Sequence, residues 1–115
     1  MSPSMRGRVP ALAVGGVSGN VLLGRQYELA PFDGTAEFLA FASGNLVSVA
    51  IFSGSDILTE PGATIPFGAA EAAPVYPDHI LAEDEVAEGD RLSMTFTNGG
   101  AAVRDINWAV MLTPA

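Results

Sequence analysis

Apolar and polar positions alternate along this chain with a period of two, and no segment takes up the three-and-four spacing of an amphipathic helix. The alternation is strictest in residues 91–97, RLSMTFT. There Leu92, Met94 and Phe96 share one face, while Arg91, Ser93, Thr95 and Thr97 share the other. In residues 103–113 the stripe is Ile106, Trp108, Val110 and Leu112, with Asp105, Asn107, Ala109 and Met111 opposite. Glu88-Gly89-Asp90 opens the first run and Asn98-Gly99-Gly100 joins it to the second, so 88–114 reads as a half-buried antiparallel pair. Residues 35–42, TAEFLAFA, and 46–53, LVSVAIFS, read as a second hairpin around Ser43-Gly44-Asn45. In its later strand Val47, Val49 and Ile51 line one side, and Leu46, Ala50 and Phe52 line the other. A strand apolar on both faces must be central or covered by a neighbour.

The rest of the pattern is punctuated more heavily. Residues 20–29, NVLLGRQYEL, read as a first strand that stops at Ala30-Pro31-Phe32-Asp33-Gly34. Residues 57–60 make a short strand, and 78–86 contain another around Ile80-Leu81. Between them, residues 61–77 hold Pro61, Gly62, Pro66, Gly68, Pro74 and Pro77, which excludes a central strand or a long helix. Ala69 to Ala73 offers a single helical turn at most. Long irregular connections in compact domains are often contact loops, and that is the reading given to this one. Residues 1–19, rich in Ser, Pro, Gly and small apolar side chains, read as a flexible N-terminal arm, leaving residues 20–115 as one domain.

Composition sharpens the class. The chain is 49% hydrophobic and only 16% charged, so either its core is dense or its apolar surface is covered by partners. With no Cys, neither disulfides nor thiolate metal sites can staple it. Charge is divided unevenly: residues 1–27 hold Arg6, Arg8 and Arg25 and no acid, whereas the remainder holds 13 acids against Arg91 and Arg104, for a net −8. Such a body repels phosphate, which leaves only Arg6 and Arg8 of the arm as a weak nucleic-acid footprint. No run of apolar residues reaches the roughly 18 needed to span a membrane. Residues 9–17 are too short, and too broken by Gly15-Gly16, to read as an export signal, so the expectation is a protein made and assembled inside a cell.

Catalytic constellations fail one by one. His79, the only imidazole, reads as a surface or packed histidine rather than a base; without Lys no Ser-Lys or Schiff-base arrangement can form, and Gly16-Val17-Ser18-Gly19 lacks nucleophile-elbow spacing. The expectation is a non-enzyme without a small-molecule substrate. One feature admits a cofactor: the acidic run 83–90, from which Glu83, Glu85 and Asp90 are the candidate calcium ligands, since hard cations take six to eight oxygens. That run matches no EF-hand spacing, and alternate residues of a strand point apart.

The strand opened by Glu88-Gly89-Asp90-Arg91-Leu92, the Asn98-Gly99-Gly100 turn and the final apolar strand together resemble small jelly-roll modules. These include tumour-necrosis-factor-like trimers and the capsid or decoration proteins of bacterial viruses, of which the phage proteins fit better. The resemblance covers residues 20–113 by pattern and 88–113 by motif. With six to eight strands predicted, the expected fold is all-β: an antiparallel, jelly-roll-like β-sandwich. The resemblance implies a virion structural protein that self-associates and builds or decorates a capsid, assembled in the host cytoplasm, with itself and other capsid proteins as partners. Phe41, Phe52, Pro66, Phe67, Tyr76 and Met111 are the candidate interface residues. A lectin-like or calcium-dependent ligand-binding sandwich is the alternative.

Overall fold

A computed structural model describes residues 4–25, 28–54, 56–59, 62–68, 74 and 79–114. Its eight strands are β1 (Ser4–Leu12), β2 (Val17–Asn20), β3 (Gly34–Ala42), β4 (Val47–Ser53), β5 (Asp56–Ile57), β6 (Ile80–Val86), β7 (Leu92–Asn98) and β8 (Arg104–Pro114). They form two four-stranded antiparallel sheets, in the orders β1-β8-β3-β6 and β2-β7-β4-β5. The pairings β1 with β8, β2 with β7, β3 with β6 and β4 with β5 are those of one long hairpin folded back at β4–β5. Rolling that hairpin brings β8 against β3 and β7 against β4, which closes it into a jelly-roll sandwich.

The inward faces follow the sequence alternation. Leu92, Met94 and Phe96 of β7, Ile106, Trp108, Val110 and Leu112 of β8, and Val47, Val49 and Ile51 of β4 are all buried in one core with Ala36, Phe38, Ala40 and Ala42 of β3. As its two apolar faces require, β4 lies inside its sheet, between β7 and β5. Past β5 its free edge is taken up by the Pro- and Gly-rich connection: Val49 N–H donates to Ala63 O at 2.9 Å and Ile65 N–H to Val47 O at 3.0 Å. The connection then crosses to the other sheet, where Ala42 N–H donates to Pro66 O at 3.0 Å. It acts as a strap along one side of the sandwich, with Ile65 buried in the core.

Three expectations are corrected. Neither 35–53 nor 88–114 is a hairpin, because β3 and β4 lie in different sheets, as do β7 and β8. A Gly- and Asn-rich turn serves equally to reverse a strand within a sheet or to carry the chain across the sandwich, so turn chemistry alone does not identify the partner. Residues 20–29 do not form the first strand; 21–25 are turn, and Leu29 makes only an isolated bridge to Arg91.

The expected arm, 1–19, instead supplies β1 and most of β2. Met5, Gly7 and Val9 face Val110, Trp108 and Ile106 across the β1–β8 ladder, so Arg6 and Arg8 alternate onto the outer face. A Gly- and Pro-containing segment can do this because β1 is an edge strand, where a missing donor is tolerated. Pro10 and Ala11 fall in a register shift between Val9 and Leu12, with Ala11 at φ 50°. Gly7 lies against the Trp108 ring, where a Cβ would collide with it.

Candidate functional site

The acidic candidates are not drawn together. Glu83 and Glu85 lie on β6, opposite Glu37 and Thr35 of β3. Asp90 belongs to the next turn, where its Oδ2 accepts from Ala87 N–H at 2.9 Å. Among the described residues no group of three or more His, Asp or Glu side chains is placed to hold a metal ion, which corrects the Glu83, Glu85 and Asp90 set. The carboxylates are separated because β6 stays extended through Val86 and Asp90 caps its own turn. An open cavity of about 380 Å³ is lined by Asp33, Gly34, Thr35, Glu85 and Val86. It gathers two carboxylates, and Asp33 Oδ1 already accepts from Glu88 N–H at 2.8 Å.

The remaining candidates scatter over the surface. His79 stacks on Phe41 with ring centroids 4.9 Å apart. Phe41 and Met111, both half-buried, lie on the outer face of the β1-β8-β3-β6 sheet, Met111 in register with Glu37. Phe52 is half-buried on the outer face of the other sheet, in register with exposed Ile57. Pro66 and Phe67 belong to the strap, and Phe67 is exposed. Tyr76 lies outside the described residues. Arg8 Nη2 sits 3.5 Å from Asp105 Oδ1, so part of the basic footprint is already paired.

A more coherent surface is found at one end of the sandwich. Because successive strands run in opposite directions, the connections β1–β2, β3–β4, β5–β6 and β7–β8 emerge at the same end. Residues 13–16, 43–46 and 99–103 contain no charged side chain, and neither do the described residues 62–68 of the longer β5–β6 connection, which elsewhere carries Glu60, Glu71 and Asp78. Each places one large apolar residue in solvent: Val14 at 56% exposure, Leu46 at 54%, Phe67 at 57% and Val103 at 54%. Arg104 and Asp105 border this end: Arg104 lies along Gly44 and donates from Nη2 to Asn45 Oδ1 at 3.2 Å, while Asp105 Oδ1 accepts from Ala11 N–H at 2.7 Å and its backbone N–H donates to Ser43 Oγ at 2.9 Å. The opposite end differs in kind, with Arg25, Glu28, Asp33, Glu88, Asp90 and Arg91 in its connections.

Asn98, fully buried, fastens this end. Its Nδ2 donates to Leu12 O and to Ala102 O, both at 2.9 Å, and its Oδ1 accepts from Gly100 N–H at 2.9 Å. Its backbone donates to Gly16 O at 2.9 Å and accepts from Gly15 N–H at 2.8 Å, while Gly99 N–H donates to Leu46 O at 2.9 Å. Residues 98–99 therefore tie the β1–β2, β3–β4 and β7–β8 connections into one unit. Leu46 is held there at φ 63°, in the left-handed region that a γ-branched side chain rarely enters.

The outer face of the β2-β7-β4-β5 sheet is also uncharged along its central strands. It presents Ser93, Thr95 and Thr97 of β7 beside Ser48, Ala50 and Phe52 of β4. Sequence reasoning did not single out Val14, Leu46, Val103 or Asn98. The available signal was a lone apolar residue in each of several Gly-rich, charge-free connections, and it becomes meaningful only once those connections are known to meet. Compared with protein-family models and with curated proteins, the chain matches none.

Proposed function

We propose that this chain is a structural protein of a virus particle, a self-associating jelly-roll subunit that builds or decorates the shell. The observation that carries self-association is the apolar end, with four exposed apolar residues on a chain of net charge −8. Like-charged copies repel wherever their acids meet, and a neutral apolar surface is where close approach costs least. The assignment to a particle shell is supported by the jelly-roll strand order, which capsid modules share with lectins and cupins, and is therefore an analogy of fold. On this reading the partners are further copies and other shell proteins, the work is burial of apolar surface, and no catalysis is assigned. The protein is assembled in the host cytoplasm and serves in the virion.

Sedimentation velocity across a wide concentration range tests it, joined to a binding assay on purified particles. Association into discrete oligomers, or saturable attachment to shells, is the expected result. A strictly monomeric protein that attaches to no shell ends the proposal.

A further inference from the structure

The strand order leaves β1 and β6 as the two edges of the β1-β8-β3-β6 sheet. An edge presents backbone N–H and C=O groups to whatever strand comes beside it. These two edges carry opposite charge. β1 belongs to residues 1–27, which hold no acid, and it turns Arg6 and Arg8 onto the outer face of the sheet. β6 turns Glu83 and Glu85 onto the same face, at the same spacing of two. All four side chains are exposed. Glu83 also stands directly opposite Glu37, itself only 9% exposed, and like charges in register repel until a cation joins them.

We infer that β1 of one copy pairs with β6 of the next, head to tail, so that this sheet runs on from subunit to subunit. The inference rests on the self-association reading above. Three antiparallel pairings separate β1 from β6, so the edges run in opposite directions. They meet as antiparallel neighbours when both copies face the same way. One register suits every position. With Arg6 opposite Glu85 and Arg8 opposite Glu83, the inward residues Met5 and Val9 meet Val86 and Ala82, apolar against apolar. Asp84, an inward-facing acid that would bar most strands, falls opposite Gly7, which brings no side chain. Gly7 lies against the Trp108 ring, and the Arg25 guanidinium over that ring, 5.2 Å from its centre, puts positive charge nearby. The paired stretch, 5–9 against 82–86, stops short of Pro10 on one strand and of the irregularity at Leu81 on the other. The acids that keep unrelated strands off β6 thus admit the strand that brings cations at the matching spacing. Exposed ion pairs add little affinity, so these set partner and register while backbone bonds and apolar contacts hold the strands. The contact is heterologous, and repetition closes it into a ring or extends it as a filament.

The test uses the full chain with Arg6→Glu, with Glu85→Arg, and with Arg6→Cys and Glu85→Cys together, each followed by sedimentation velocity and thermal melting. Both positions are exposed, so the two charge reversals should melt within about 3 °C of the parent. Each reversal alone should weaken association at least about tenfold, by setting like charges opposite one another. An equimolar mixture of the two should recover it, because the reversed β1 of one meets the reversed β6 of the other and the unchanged edges meet each other. The parent has no Cys, so mild oxidation of the double variant should give a ladder of covalently joined copies. Opposite positions in antiparallel strands lie within disulfide reach. Parent association that survives both reversals overturns this inference and leaves the self-association reading standing, as does weakening with neither recovery on mixing nor a ladder. A parent that stays monomeric at every concentration and attaches to no shell overturns both.

Discussion

Asn98 shows how one buried side chain can hold a surface. Its amide satisfies two carbonyls and one N–H: Leu12 O at the end of β1, and Ala102 O and Gly100 N–H of the β7–β8 connection. Asn98→Ala strands all three in a dry site, and a buried unpaired polar group costs on the order of 1–3 kcal/mol. A loss of about 3 kcal/mol is expected, read as a fall in the midpoint of denaturant unfolding with an unchanged slope. A midpoint within experimental error of the parent's would mean that the end of β1 and the β7–β8 connection do not depend on this side chain. Gly7 poses the complementary case, because its missing Cβ is the space filled by the Trp108 ring. Gly7→Ala forces ring or strand to move and should cost about 1–3 kcal/mol, as overpacking does. The shift should also appear in the fluorescence of Trp108, the sole tryptophan.

At the scale of elements, β1 is the strand whose importance is least apparent in the sequence. Met5 and Leu12 are buried, and the ladder to β8 runs from Ser4 opposite Met111 to Leu12 opposite Arg104. Removing residues 1–12 would uncover the edge of β8, expose Trp108 and deprive Asn98 of the Leu12 carbonyl. The truncated chain should lose cooperative melting or aggregate through the newly opened edge. A dispensable arm would leave the melting curve where it was. β6 is an instructive contrast, since its acids Glu83 and Glu85 lie in an edge strand, where charge discourages pairing with foreign strands.

For the whole molecule, the distribution of charge governs behaviour more than any single pair. With net charge −8, the proposed self-association is opposed by long-range repulsion between copies and driven by apolar burial. Salt should therefore strengthen it. Raising sodium chloride from about 0.05 M to about 0.5 M shortens the screening length severalfold and should increase the association constant. Weakening by salt would point instead to an interface built from ion pairs. A calorimetric titration with calcium belongs at this scale too. With Glu83, Glu85 and Asp90 held apart, the expected outcome is no saturable heat, and a one-to-one binding isotherm would contradict that separation.

By itself the sequence determined the all-β class and the inward faces of the later strands. Period-two burial is a local property, and the alternating residues of 91–97 and 103–113 display it directly. Tertiary structure alone decided which strand lies beside which. Alternation specifies a face and not a neighbour, and the pairing of β1 with β8 joins the two extremes of the chain. For the same reason the apolar end could not be read from its parts. Val14, Leu46, Phe67 and Val103 are unremarkable loop residues until the rolled hairpin delivers their four connections to one place.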